Sequence, residues 1–271
     1  MKVIFLGTGT STGVPELGCG CEVCTSSDPR DFRLRSSILV EHGATRLLID
    51  CGPDFRMQML QLPFETIDAV LLTHKHYDHT GGLDDLRPFC RRGDIPVYAD
   101  EHTVSHVKNV LPYCFSDVKY PGVPNLILRT INGDAVFGIG DLSIQPIHVY
   151  HGRLPILGYR IGNFAYITDM SYIAPEELKK LYGVETLVIN ALRFSKPHGS
   201  HQTVLEAYAV IEQIRPRVVY FTPMMPHMGR HAKIEQVLPV NGHLADDGRG
   251  IEVEINYQCI KHKSCCTLYA T

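Results

Sequence analysis

The sequence lacks any long apolar run. After Met1 and Lys2 the run Val3 to Leu6 ends at Gly7, far short of a signal-peptide core, and no stretch approaches the roughly 18 apolar residues of a membrane-spanning helix. We therefore expect a cytoplasmic protein with no membrane partner.

Charge of one sign is also lacking. Lys and Arg total 26, Asp and Glu total 29, and the formal net charge is -3, so the overall field does not recruit nucleic acid strongly. Repeats and low-complexity linkers are absent too, and 271 residues with 44% hydrophobic side chains suffice for one large core. We expect a single domain across residues 1-271, with an ordered core of about 2-256.

The chain contains many short β-branched runs, which predict strands, and helical patterns separate some of these runs. Strands are predicted at 3-6, 37-40, 46-49, 69-72, 96-99, 126-130, 143-149, 159-161, 165-168, 186-189 and 218-221, and helices near 55-61, 102-111, 175-181, 202-214 and 233-238. Strands outnumber helices, and helices follow strands in both halves. This order predicts an α+β fold, a four-layer αβ/βα sandwich with two mixed sheets face to face.

The segment 73-82, Thr-His-Lys-His-Tyr-Asp-His-Thr-Gly-Gly, follows a predicted strand and carries four metal-binding side chains. His74 and His76 are two residues apart, so on an extended segment they project to one side and can grip one ion. Asp78 and His79 should follow where the chain turns into a helix beginning at the Gly81-Gly82 pair, facing a second ion. The alternative to a metal site is a histidine-rich surface loop.

This motif, preceded by Leu-Ile-Asp-Cys-Gly at 48-52, resembles that of the metallo-β-lactamase superfamily, and the likeness extends from Val3 to about Val253. The opening Phe-Leu-Gly-Thr-Gly-Thr-Ser-Thr-Gly-Val-Pro at 5-15 is similar to one branch more narrowly. That branch contains the phosphoribosyl 1,2-cyclic phosphate phosphodiesterase of the carbon-phosphorus lyase pathway.

The resemblance implies a set of metal ligands, each at the end of a predicted strand or in the motif. The first ion would be held by His74, His76 and His151, and the second by Asp78, His79 and a bridging Asp169. His148 competes with His151 for the third histidine position. Asp169 has the alternative role of capping a helix from Tyr172 to Leu181, and Asp50 is either a carboxylate that orients a ligand histidine or a simple turn residue.

Two prolines depart from the family pattern. The family's last ligand is a histidine directly after the strand-ending threonine, where this chain has Pro223, and a second histidine position three residues on is Pro226. Proline cannot bind metal. The second ion is thus short of a ligand, unless His227, which we favour as a ligand of the cysteine cluster, or His231 moves in.

Cys19, Cys21 and Cys24 place three thiols within six residues, beside Gly18 and Gly20. Sulfur ligands favour zinc, and a closed four-ligand site is structural. We predict a structural zinc here with His227 as the fourth ligand, against the alternative of three unrelated reduced thiols. Core roles are expected for the cysteines at 51, 90, 114 and 259.

The implied chemistry is hydrolysis by a metal-activated water, with one or two Zn²⁺ or Mn²⁺ ions in the active site and iron also compatible. Asp78 and His201 are the predicted catalytic residues, with His198 as the local alternative to His201. The branch resemblance implies a phosphodiesterase on a small cyclic or linear phosphodiester. Arg33 and Arg35 could supply positive charge to such a substrate or pair with core carboxylates.

The expected partner is a small anionic substrate; a homodimer stays open. Two other functions compete. One is a nuclease resembling the tRNA 3' processing enzymes of the superfamily, although the chain carries neither their RNA-binding arm nor a basic stripe. The other is a degenerate member that binds a ligand without turnover because of Pro223, against which the six retained ligands argue.

Overall fold

Two β-sheets make up the body of the protein in the computed structural model, which describes residues 1–255. The first sheet has seven strands in the order β15-β1-β2-β3-β4-β5-β6. Its strands are β1 Lys2–Gly7, β2 Ser37–His42, β3 Thr45–Ile49, β4 Ala69–Leu71, β5 Ile95–Ala99, β6 Leu126–Thr130 and β15 Gly250–Glu252. The pairs β15–β1, β1–β2 and β2–β3 are antiparallel, whereas β3–β4, β4–β5 and β5–β6 are parallel.

The second sheet has eight strands in the order β11-β8-β9-β10-β12-β13-β14, with β7 added beside β8. Its strands are β7 Phe137–Ile139, β8 Leu142–His151, β9 Leu154–Ile161, β10 Phe164–Ile167, β11 Tyr172–Ile173, β12 Thr186–Ile189, β13 Val218–Phe221 and β14 Gly242–Leu244. Pairing changes from antiparallel to parallel at β10, so this sheet repeats the plan of the first.

Helices cover the outer faces of both sheets. They are α1 Phe55–Met59, α2 Tyr77–Thr80, α3 Glu101–Val110, α4 Pro175–Lys179, α5 Val204–Ile214 and α6 His231–Ile234. The α2 helix corrects one expectation, because it begins at Tyr77 and contains Asp78 and His79, instead of beginning at the glycine pair. No helix of the described chain is long and apolar enough to cross a membrane.

The strand alternation explains the layers. In β1, Val3 and Phe5 point into the core between the sheets, where they join Tyr159 and Phe164, while Ile4 and Leu6 point to the outer core under α1 and α3. A third core lies between the second sheet and α4 with α5. Both faces of each sheet are therefore buried, and the four-layer αβ/βα sandwich predicted from the sequence is confirmed.

The sequence prediction missed four short strands and half of another. β7, β11, β14 and β15 have two or three residues each, too few to show a period of two. β9 was predicted only in its second half, because Pro155 and Gly158 interrupt its first half. The predicted helix at 233-238 instead spans His231–Ile234. Cys259 and residue 256 of the predicted core lie outside the described residues.

Candidate metal centre

Four polar side chains lie at strand ends on the same edge of the sandwich, as the sequence predicts. Asp50 follows β3, His74 comes three residues after β4, His151 ends β8 and Asp169 comes two residues after β10. Ring nitrogens of His74 lie within 4.8 Å of donor atoms from both sheets, so the site bridges the two halves of the fold.

The first donor set consists of His74, His76 and His151, whose ligand nitrogens lie within 4.8 Å of one another. Nε2 of His74 is 2.9 Å from Nδ1 of His76. Nδ1 of His151 lies 2.8 Å from the carbonyl oxygen of Ser200, to which it would donate, and this contact leaves Nε2 free as a ligand atom. The competitor His148 lies elsewhere, with Nε2 at 3.3 Å from the carbonyl oxygen of Gly133.

The second donor set consists of His74, His79 and Asp169, again within 4.8 Å. Nε2 of His79 lies 2.9 Å from Oδ2 of Asp169 and 3.3 Å from Oδ2 of Asp78. Because His74 belongs to both sets, the two groups adjoin. The six residues predicted as active-site ligands are thus brought together, and the geometry has room for one or two ions.

Asp50 supports His79 from the side away from the donor atoms. Its Oδ2 is 2.7 Å from Nδ1 of His79, while Oδ1 accepts a hydrogen bond from the backbone N–H of Thr73 at 2.8 Å. The carboxylate is fully buried, and its backbone is left-handed with a φ of 64°. It therefore turns the chain after β3 and also fixes the proton on Nδ1, which leaves Nε2 for an ion.

The electrostatics of the site call for a cation. Burial alone would lower the pKa of His79, but the carboxylates of Asp50, Asp169 and Asp78 together raise that pKa well above its usual value. Burial lowers the pKa of His74 well below its usual range, so this imidazole is neutral. Within residues 1–255 no Lys or Arg pairs with Asp78 or Asp169. Three carboxylates thus converge on the buried His79 beside a neutral His74, and a divalent metal in place of the His79 proton would neutralise this excess of negative charge.

Asp169 is held in place by its own backbone. It has a φ of 52°, and the N–H of the next residue, Met170, donates to Oδ1 of Asn190 at 2.9 Å. The alternative that Asp169 caps a helix from Tyr172 is wrong, because Tyr172 lies in β11 and the helix there begins only at Pro175. Asn190 is not among the residues predicted for the site, although it directly follows an apolar strand, β12, as Asp50 follows β3.

His201 lies beside the predicted bridging carboxylate. Its Nδ1 is 3.2 Å from Oδ1 of Asp169, without hydrogen-bond geometry, and its ring centroid is 4.6 Å from that of His151. Burial lowers the pKa of His201 to about 4, partly offset by Asp169. The helix after it is capped by Thr203, so helix capping does not explain His201. The alternative, His198, is exposed, and its ring centroid lies 5.3 Å from that of His201.

The chain after β13 contributes no ligand from its two prolines. Pro223 is buried, and the flanking backbone is paired at the ends of two strands. The N–H of Thr222 donates to the carbonyl oxygen of Ile189, the last residue of β12, and that of Met224 to the carbonyl oxygen of Thr8, directly after β1. His227 is exposed in the turn Pro226–Met228. It is not among the donor atoms that group with the cysteines in the described chain. The fourth ligand of the cysteine site thus stays a prediction.

His231 and the two arginines serve the scaffold. Arg33 is buried and donates to Oγ1 of Thr8 and to the carbonyl oxygen of Ala245, with His231 Nδ1 3.0 Å away. Arg35 pairs with Asp54 at 2.8 Å. Hydrogen bonds within the scaffold therefore account for both arginines, although within residues 1–255 only Arg35 pairs with a carboxylate, and His231 lies in neither donor set.

The three cysteines form a separate group, with their sulfur atoms within 4.8 Å of one another. Backbone N–H groups point at two of the sulfurs, from Glu16 to Cys24 Sγ at 3.4 Å and from Cys24 to Cys21 Sγ at 3.5 Å. The hydrogen bond from the Cys24 backbone lowers the pKa of Cys21, whereas burial raises that of Cys24 to about 11. Amide donors around clustered thiols fit a thiolate-bound metal.

Comparison with known proteins places these residues in a family. Residues 45–224 match the model of the beta-lactamase superfamily domain. A solved structure described as a new diphosphatase from the PhnP family is 37% identical, with a TM-score of 0.87, over 94% of this chain and 97% of that one. Zn²⁺-bound PqqB from Methylobacterium extorquens shares the fold, with a TM-score of 0.77 and 22% identity over 93% of this chain and 100% of that one.

A curated relative adds a different context. An octanoyltransferase of Porphyromonas gingivalis is 46% identical over 254 residues, which are 92% of this chain and 51% of that protein. This chain therefore spans about half the length of that relative.

Proposed function

Because the chain belongs to the beta-lactamase superfamily and, within it, to the PhnP family, we propose that it hydrolyses a phosphodiester or diphosphate bond in a small anionic molecule. The single observation that carries this proposal is the pair of adjoining donor sets that share His74. Since one imidazole nitrogen binds one ion, His74 would serve the first set, and Asp78, whose Oδ2 lies 3.3 Å from Nε2 of His79, would complete the second. Two such sets suit a pair of divalent ions acting on one phosphoryl centre. The 37% identity to a diphosphatase supports the same bond type.

His74, His76 and His151 would hold one ion, and Asp78, His79 and Asp169 a second, with zinc or manganese as the candidates. Divalent ions so bound lower the pKa of water toward neutrality and stabilise the charge that develops on a phosphoryl group. This arrangement leaves proton transfer and orientation to the protein's own side chains.

Asp78 and His201 are the groups placed to move protons. Burial alone would raise the pKa of Asp78, but the adjoining His79 lowers it, so the carboxylate is ionised, and an ion in place of the His79 proton would keep it so. Asp78 can then accept a proton from the attacking water. Asp169 beside Nδ1 of His201 favours a proton on that nitrogen. Because burial keeps the ring neutral, Nε2 of His201 would first take up the proton that the attacking water releases and then pass it to the leaving oxygen, while the carboxylate of Asp169 stabilises the charged ring in between.

The test is metal content and turnover of bis(p-nitrophenyl) phosphate and of a nucleoside diphosphate ester, with Asp169→Asn compared with Asp117→Asn. Asp169 is buried in the site and Asp117 is exposed on a loop. We expect chelator-sensitive turnover that falls at least about a hundredfold in Asp169→Asn and stays unchanged in Asp117→Asn. A protein that binds metal only at the cysteines and turns over neither substrate would contradict the proposal and favour the degenerate binder.

A second candidate is hydrolysis of an acyl thioester, which the match to the octanoyltransferase favours. The same metal chemistry polarises acyl carbonyls. Release of free thiol from an octanoyl thioester, measured beside the phosphodiester assay, separates the two reactions. Inclusion of a tRNA precursor tests the nuclease alternative in the same series.

A further inference from the structure

An apolar pocket of about 770 Å³ lies in the outer layer of the first sheet, away from the metal centre. Its volume falls within the range of small-molecule sites. Buried Phe55, Met59 and Phe89 form its inner wall and belong to the core under α1 and α3. Its floor is thus part of the fixed scaffold.

The mouth of the pocket exposes large apolar side chains. Leu60 is 62% exposed and Phe64 is 56% exposed, although both line a cavity whose inner wall is apolar. Phe64 is fixed by its ring contact with Phe89, with centroids 4.8 Å apart. Apolar surface gathered around a concave site marks a ligand groove more often than scattered exposed residues do.

Positive charge surrounds this apolar mouth. Arg56, Arg87 and Arg91 line the pocket, against the single carboxylate of Asp85. Arg87 is engaged by Asp84, with Nη2 and Oδ1 2.7 Å apart. Within residues 1–255 neither Arg56 nor Arg91 makes an ion pair, so both guanidinium groups are available to an anion at the mouth.

We propose that this pocket binds an unbranched aliphatic chain with an anionic head, that is, the anion of a medium-chain fatty acid. The chain would lie along Phe55, Met59 and Leu60, and the carboxylate would meet Arg56 and Arg91. Met side chains adapt to chains of different length. The inference agrees with the second candidate function but does not rest on hydrolysis of any bond.

The experiment is calorimetric titration of the full chain with hexanoate, octanoate, decanoate and dodecanoate below their micelle concentrations, with and without chelator. We expect affinity to rise about fourfold for each buried methylene until the pocket is filled. Octylamine, with the same chain and the opposite charge, should bind at least about tenfold more weakly than octanoate.

Variants locate the binding site. Arg56→Glu and Arg91→Glu should each weaken octanoate binding about tenfold, and Phe64→Ser should weaken the longer chains most. Arg217→Glu, at an exposed position elsewhere, is the matched control and should bind normally. The three arginine variants should keep their melting temperature, Phe64→Ser should lower it slightly because its ring contact with Phe89 is lost, and all four variants should keep their phosphodiester turnover.

The proposal would be overturned if the affinity did not change with chain length, or if Arg217→Glu weakened octanoate binding as much as Arg91→Glu does. Binding of fatty acid by protein that turns over no phosphodiester would support the pocket and contradict only the proposed hydrolysis. Turnover of the phosphodiester without binding of fatty acid would support the proposed hydrolysis and contradict the proposed pocket ligand.

Discussion

Replacing Asp50 by Asn tests whether this buried carboxylate positions His79 as a metal ligand. The change keeps the shape of the side chain, and the Asn oxygen can still accept from the Thr73 N–H at 2.8 Å. The amide nitrogen would then face Nδ1 of His79, which in the unchanged protein lies 2.7 Å from Oδ2 of Asp50. Two donors would meet, so the imidazole would have to move its proton to Nε2, the atom that faces Asp78 and Asp169.

The size of the effect follows from the burial of this contact. A buried hydrogen bond to a charged group contributes about 1.5–3 kcal/mol, and loss of such a supporting carboxylate costs roughly 10–100-fold in metal affinity. The two figures agree, because a tenfold change corresponds to about 1.4 kcal/mol. We expect affinity at the His79 site to fall by this factor, while the site of His74, His76 and His151 loses less.

The assay is a metal titration followed by calorimetry, with turnover of the phosphodiester measured at each metal concentration. Excess metal should restore much of the turnover if Asp50 acts only through His79. Asp54→Asn, which breaks a half-buried surface pair with Arg35, serves as the control and should change neither quantity. Unchanged metal affinity in folded Asp50→Asn would refute the reasoning.

Three further changes test other parts of the molecule. Asp247 has its pKa raised by burial from 3.8 to about 6, so the folded state holds the extra proton and this group's contribution to stability falls by about 3 kcal/mol as pH rises through that window; Asp247→Asn removes this titration and should flatten the fall in melting temperature between pH 4 and pH 8, while the loss of the acceptor for the Leu34 N–H lowers the melting temperature at both pH values. Cys21→Ser should remove one zinc per chain in elemental analysis and leave the active-site metals, whereas Cys90→Ser should remove none. Thr203→Ala removes the side chain that accepts from the Glu206 N–H and should lower the free energy of unfolding in urea by about 1 kcal/mol.

Strands formed by uninterrupted, mostly apolar runs could be predicted from the sequence, whereas most strands of two or three residues could not. β6, β12 and β13 have the predicted bounds, since each is a run of β-branched or apolar residues between turn residues. By contrast, β14 and β15 begin with glycine and are held by neighbours far away in sequence. Their pairing depends on tertiary contacts that no local pattern records.

The residues of the metal centre likewise divide into those that a local sequence pattern marks and those that it does not. The motif around His74, the strand-end position of Asp169 and the cysteine spacing are local signals, and the structure groups these residues. Asn190 accepts from the N–H of Met170, which is 20 residues away in the sequence. The carbonyl oxygen of Ser200 contacts His151, which is 49 residues away. Such supporting groups become visible only when the strands are assembled.

The two donor sets differ in chemistry, and this difference bears on Pro223. The first set has three imidazoles, a donor set suited to zinc. The second has His79 with the carboxylates of Asp78 and Asp169, while the loop after β13 offers a buried proline and backbone groups already paired with Ile189 and Thr8. Oxygen-rich ligands suit harder cations such as Mn²⁺. We infer that the sites bind metal unequally, the first tightly and the second as a weaker site that manganese can fill.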